Sequence, residues 1–232
     1  MTAELAEAAE GDRRPVLDAD RIIAPEPIWK ALRRRVSGRY PVDPFGLDPQ
    51  LADLCVPAFE AAIRVRVAGG EHVPATGPSV IVSNRGFGVA EPAALGVAVQ
   101  RSSGRRLRVV GAPDLPLLRT VTRRLGAISS SGPDVAAALR AGHLVGIPLA
   151  PTWLRTGAGD APLEVARALT LAPIVPAAVR AVGRFGAVLG AWEVTFGPMV
   201  TLRDPYDPTD PLAAARFTEA MRRAVGALLD AS

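Results

Sequence analysis

The residues best placed for chemistry lie in one stretch, IVSNRGFGVAEPAAL, from Ile81 to Leu95. An apolar run ends at Ser83-Asn84, a polar, glycine-containing turn follows, and Pro92 opens an alanine-rich segment. A strand that stops at such a turn before a helix is where α/β enzymes often hold catalytic groups. The groups on offer are the Asn84 amide, the Arg85 guanidinium and the Glu91 carboxylate, with Ala90 between the last two. They contain no nucleophile–base pair, because an arginine stays protonated and cannot accept a proton. Glu91 has two readings: a displaced catalytic acid, or an acid in a first helical turn facing the positive end of the helix dipole. Arg85 has two as well. It is either a ligand for a bound phosphate or a structural plug paired with Glu91. Gly86-Phe87-Gly88 is not a dinucleotide-binding fingerprint, since Glu91 occupies the place of the third glycine.

Other reactive side chains are scarce. The chain has two histidines, His72 and His143, and one cysteine, Cys55. A lone cysteine excludes an intrachain disulfide framework and a multi-cysteine zinc site, and no metal site is expected. His72 lies in a loop before the Ile81 strand and His143 at the start of a later one. Both therefore fall at the opposite end of the sheet and read as surface or loop histidines. Cys55 reads as a small core residue on a helix face.

The elements that must position these groups follow from hydrophobic period and turn residues. Ile28, Trp29, Leu32 and Val36 share a helical face, opposite Arg33-Arg34-Arg35. Asp48 caps and Pro49 starts a second helix to Ala62, with an apolar stripe of Leu51, Leu54, Phe59 and Ile63. Strands are expected at 63–67, 79–83, 107–111, 144–147, 174–179 (interrupted by Pro176) and 192–200. Helices are expected at 92–101, 115–124, 133–141 and 162–171. A last amphipathic helix carries a stripe of Leu212, Phe217, Met221, Val225 and Leu228. The alternation predicts an α/β domain with a largely parallel central sheet flanked by helices. Residues 1–24 read as a weakly ordered leader, 25–62 as an N-terminal helical segment and 63–232 as the α/β domain.

Composition narrows the function classes. Apolar residues make up 49% of the 232, enough for a large core. The net charge is +4, and Lys30 is the one lysine, so nearly all positive charge is arginine. A GC-rich genome imposes such an arginine, alanine, proline and glycine bias; contact with phosphate is the functional alternative. Nucleic acid is not expected as a partner, because the arginines are scattered and no aromatic stacking platform accompanies them. The first residues are acidic and alanine-rich, unlike a secretory signal, and the longest apolar stretch, 141–154, is short for a spanning helix. A cytoplasmic location is expected, with peripheral contact at the inner face of the membrane as a refinement. That contact would use Trp29 and Arg33, Arg34 and Arg35 on an interfacial helix; ordinary packing with a solvated basic face is the other reading.

The order of these blocks resembles the glycerolipid (lysophospholipid) acyltransferase family, from about Asp43 to Thr201. The matching blocks are Gly69-Gly70-Glu71-His72-Val73-Pro74, then Asn84 to Ala90, Gly126-Ala127-Ile128, Gly142 to Ala150, and Ala172-Pro173-Ile174-Val175-Pro176-Ala177. The segment Tyr40 to Asp48 resembles an actinobacterial branch. The family's motif histidine, a general base on the acceptor hydroxyl, falls at Arg85, and the aspartate that orients it falls at Ala90. The Pro-Glu-Gly block that helps hold a glycerophosphate acceptor reads Pro148-Leu149-Ala150 here. The arginine expected after the Gly-x-Ile block is replaced by Ser129-Ser130-Ser131. The resemblance therefore implies an acyltransferase fold with degenerate catalytic motifs, binding a lipid, an acyl chain or a catalytic acyltransferase partner. Arg85, Pro148, Leu149 and Ala150 are its implied substrate-binding positions. No cofactor is implied. Acyl-CoA or acyl carrier protein would be the donor if activity survives through Glu91, and an Arg85 phosphate site would suit a glycerophosphate or a phosphopantetheine.

Overall fold

The computed structural model describes residues 29, 30, 33, 42–84, 90–111, 121–149, 163, 172–183, 190–200 and 210–231. Within them, α1 (Pro49–Ala62) leads into β1 (Arg64–Ala68), β2 (Ser79–Asn84) and α2 (Glu91–Ser103). Then come β3 (Leu107–Val109), α3 (Gly132–Arg140), β4 (Leu144–Leu149), β5 (Ile174–Val182), β6 (Ala191–Phe196) and α4 (Pro211–Asp230). The six strands form one sheet in the order β1-β6-β5-β2-β4-β3. All neighbours are parallel except β5 and β6, which are antiparallel. The α/β reading with a largely parallel sheet therefore holds. So does the placing of 80–82 beside 144–147: Val80, Ile81 and Val82 pair with Val145, Gly146 and Ile147.

Helices α1, α3 and α4 each begin where a cap residue can satisfy open amides. Asp48 accepts the Leu51 N–H at 2.9 Å before Pro49 starts α1. Ser131 and Asp210 cap α3 and α4 in the same way, each followed closely by a proline. Gly142 (φ 85°) takes the left-handed conformation after α3 that a side chain would resist.

The central strands of the sheet are buried on both faces. Ile81, Val175, Ala177, Val179, Val194 and Phe196 pack against α2 residues such as Ala94, Leu95 and Ala98. On the other face, Val80, Val82, Val145, Ile147 and Ile174 pack against Val135 and Leu139 of α3 and Phe217, Met221 and Val225 of α4. Near-continuous apolar runs in β2 and β4 are what double-sided burial demands.

Several expectations need correction. Pro176 does not interrupt β5: it pairs with Val82, and its carbonyl accepts the Gly197 N–H at 2.8 Å, where the β6 ladder has already ended. A proline is tolerated at such a ladder end because no N–H is required there. Phe59 and Leu212 stand exposed instead of completing their helical stripes, and β6 stops at Phe196, with Val200 touching Ile174 by a single bridge. Ile63 of the expected stripe is buried, and so is Ala52 of α1. His143 is not a surface residue: it is buried, with its ring edge-on to Phe45 at 5.3 Å. Cys55 is half-buried. The helices expected at 115–124 and 162–171 lie largely outside the described residues, as does 1–24; residues 121–124 and 163 are helical.

Candidate functional site

Four strands, β2, β3, β4 and β5, run in one direction, so their carboxyl ends share an edge. Asn84 and Leu149 are paired residues at that edge. Arg85 and Ala150, the next residue of each strand, lie outside the described residues. Ala90 is the residue before α2 and offers no side-chain cap, and Glu91 is buried in the first helical turn. A carboxylate there faces the positive end of the α2 dipole.

Asn84 has a specific task. Its Nδ2 donates to the Val179 carbonyl at 2.8 Å, and its Oδ1 accepts the Val179 N–H at 2.7 Å. The β2–β5 ladder ends at Ser83–Ala177, yet β5 runs on to Val182. The peptide group exposed beyond that point needs a partner, and a primary amide carries the same donor and acceptor as a peptide. Asn84 thus continues the ladder by one side chain and ties the end of β2 to β5.

Pro148 pairs with Ser83 and is half-buried, while Leu149 is 4% exposed and belongs to the apolar cluster under α3 and α4. Leu149 is thus a core residue. His143 precedes β4 and lies at the far end of that strand, roughly 20 Å from Leu149 at ~3.3 Å per residue. His72 sits in a 3₁₀ turn beside the carboxyl end of β6, on the same remote side, 3.9 Å from Glu71. Neither histidine is placed to serve the Asn84–Leu149 edge. Among the described residues no group of three His, Cys, Asp or Glu side chains could hold a metal ion. Among the described residues, Glu91 is the ionisable group beside this edge.

A second charged region was not anticipated. Arg108 of β3 is 1% exposed and forms an ion pair with Asp43; Arg106 does so with Asp53 of α1. Asp43 also accepts the N–H groups of Phe45 and Leu47 at 2.9 and 2.8 Å, folding the preceding loop around itself. Arg105 reaches the carbonyls of Pro74 and Gly142. Arg106 and Arg108 are internal fasteners for residues 43–53, Arg105 fastens Pro74 and Gly142, and all three are buried away from external phosphate. The signal in the sequence was Arg105-Arg106-Leu107-Arg108 on an edge strand opposite an aspartate-rich loop.

With the sheet order and this edge established, comparison with known proteins becomes informative. The fold is acyltransferase-like. A solved 1-acyl-sn-glycerophosphate acyltransferase from Thermotoga maritima superposes with a TM-score of 0.50 at 16% identity, over 76% of this chain and 81% of that one. Uncharacterized proteins of Mycobacterium tuberculosis and Mycobacterium leprae are 32% identical over 127 residues, half of this chain. The chain matches 36% and 35% of the length of those relatives. No family model matches the sequence.

Trp29 is well exposed and helical, as is Arg33; Arg34 and Arg35 lie outside the described residues. No helix among the described residues is long and apolar enough to cross a membrane.

Proposed function

We propose that this chain uses an acyltransferase-like scaffold to bind a lipid, an acyl chain or a partner acyltransferase, without turning substrate over. The observation that carries the reading is the composition of the Asn84–Leu149 edge. Asn84 is engaged by the β5 backbone, Ala90 has no functional group, and Leu149 belongs to the core. A general base alone contributes ~10²–10⁴-fold to such a reaction. Losing the base, its orienter and an acceptor ligand removes the means of activating a hydroxyl, although the separate losses need not add.

Buried Glu91 favours a second reading: an active acyltransferase with a rearranged site, moving an acyl group from acyl-CoA or acyl carrier protein to a lysophospholipid or another hydroxyl acceptor. One assay separates the two. Purified chain is mixed with acyl-CoA and lysophosphatidate or glycerol-3-phosphate, and the expected outcome is no acyl transfer above a heat-killed control. Turnover that disappears in Glu91→Ala would establish the second reading. Native mass spectrometry of the purified protein should reveal a retained lipid under the first.

The proposed location is peripheral, on the inner face of the membrane. It rests on the exposed Trp29 and the basic residues Lys30 and Arg33 to Arg35.

A further inference from the structure

One face of the sheet carries a charged array that neither the fold nor the candidate site uses. Strand residues alternate between faces. Val65 of β1, Trp192 and Val194 of β6, and Val179 of β5 point into the core beneath α2. Arg64, Arg66, Glu193, Arg180 and Val182 therefore point to the opposite side. There, among the described residues, α4 packs on β5 and β2, whereas the helices that pack on β1 and β6 are α1 and α2. The array is open to solvent: the Arg66 side chain is 79% exposed and that of Arg180 44%.

The register places these charges in rows. Arg66, Glu193 and Arg180 are consecutive partners across three strands, and Arg64, Ala191 and Val182 form the next row toward the candidate edge. Glu193 is 3.5 Å from Arg66 and 2.9 Å from Arg180. Glu193 is paired with Arg66 and Arg180, and Arg64 lies on the same face of β1, so the three arginines outnumber the one carboxylate. Neighbouring strands are ~4.8 Å apart, which spreads the arginines over a nearly flat area about 10 Å across. The surface is continuous with the candidate edge, since Arg180 directly follows Val179, the residue Asn84 holds.

We infer that this face, built on Arg64, Arg66 and Arg180 around Glu193, docks onto an anionic phospholipid bilayer and sets the Asn84–Leu149 edge beside it. The partner follows from the chemistry of the patch. A stable protein interface needs an apolar centre, and among the described residues of this face Val182 is the one large exposed apolar side chain. A flat basic surface with little apolar content suits a layer of anionic headgroups, which binds arginines weakly, additively and with strong salt dependence. The docking is independent of turnover at the edge, and it uses residues distinct from Trp29 and its neighbours.

The test is flotation of the full chain with vesicles of phosphatidylcholine alone or mixed with phosphatidylglycerol, at low and high salt. Wild type should partition onto the mixed vesicles at low salt. Each arginine lost lowers the partition coefficient about fivefold, so Arg64→Gln with Arg66→Gln and Arg180→Gln should lower it about a hundredfold. Glu193→Gln should raise it about fivefold even though it breaks both ion pairs, which separates docking from damage to the fold. The Trp29→Ala, Arg33→Glu, Arg34→Glu variant should keep the Arg64, Arg66 and Arg180 dependence. Indifference to lipid charge, equal binding by the triple variant, or weaker binding by Glu193→Gln would overturn the inference. So would salt-sensitive capture of a small acidic protein with no vesicle binding, which would move the face to a protein partner. The acyl-transfer assay reads the proposed function separately.

Discussion

The carboxyl edge of β2 and β4 and the flank of β3 make opposite use of polar residues. At the edge, where an α/β enzyme would display its reactive groups, Asn84 is engaged by backbone and Leu149 is core. At the flank, full charges are taken inside: Arg108 with Asp43, Arg106 with Asp53. At the flank, charge fastens one segment to another; at the edge, the described polar side chain of Asn84 fastens one strand to another. A perturbed or buried charge is thus an unreliable guide to chemistry here, because structural ion pairs bury charge too.

The largest test of this contrast is at the flank. Asp43→Ala leaves the Arg108 guanidinium buried without its carboxylate and should cost about 3–5 kcal/mol, read as a lowered midpoint in chemical denaturation. Asp43→Ala with Arg108→Met should recover much of that loss, because the stranded charge is removed as well. A single-variant cost near zero would mean that the pair does not hold the segment. The next effect is at the edge. Asn84→Ala leaves the Val179 N–H and carbonyl without their side-chain partner and should cost about 1–3 kcal/mol. If Asn84→Ala melts like wild type but loses a bound lipid, the amide serves the site and the contrast fails.

The smallest effect is at Glu193. The hydrogen bond from Arg180, with the nearby charges of Arg180 and Arg66, holds its carboxyl below the ordinary glutamate range. A lowered folded-state pKa stabilises above the unfolded value and is lost as pH falls through the folded one. Wild type should therefore be slightly more stable than Glu193→Gln at neutral pH, and the difference should vanish in acid. An unchanged difference at low pH would show that the carboxylate charge contributes nothing to the row.

Much of the architecture was legible because it rests on local rules. The caps at Asp48 and Asp210, the turn at Gly69 and the apolar runs of β2 and β4 each have a short-range physical cause. What escaped was long-range. Nothing near Asn84 in the chain says that its amide will meet Val179, 95 positions away. Nothing near Arg108 names Asp43, 65 positions earlier, as its partner. Pro176 looked like an interruption because its missing N–H matters only if a neighbouring strand reaches it, and β6 ends first. Phe59 and Leu212 fit a helical stripe by spacing, but their helices turn those positions outward. The pairing of β2 with β4 was legible in their apolar runs, whereas the structural use of Asn84 was not.

The pairing of β1 with β6 has a consequence for synthesis. Arg64 meets Ala191, so the outermost strand must wait until most of the chain has left the ribosome. At ordinary elongation rates of ~5–20 residues per second, that wait is on the order of 10 s. During it, β1 is a strand without its neighbour, the kind of segment that captures foreign strands. Arg64 and Arg66 alternate with Val65 and Val67 along it, placing a charge beside each valine. The nascent strand thus carries its own protection against misassociation until β6 arrives.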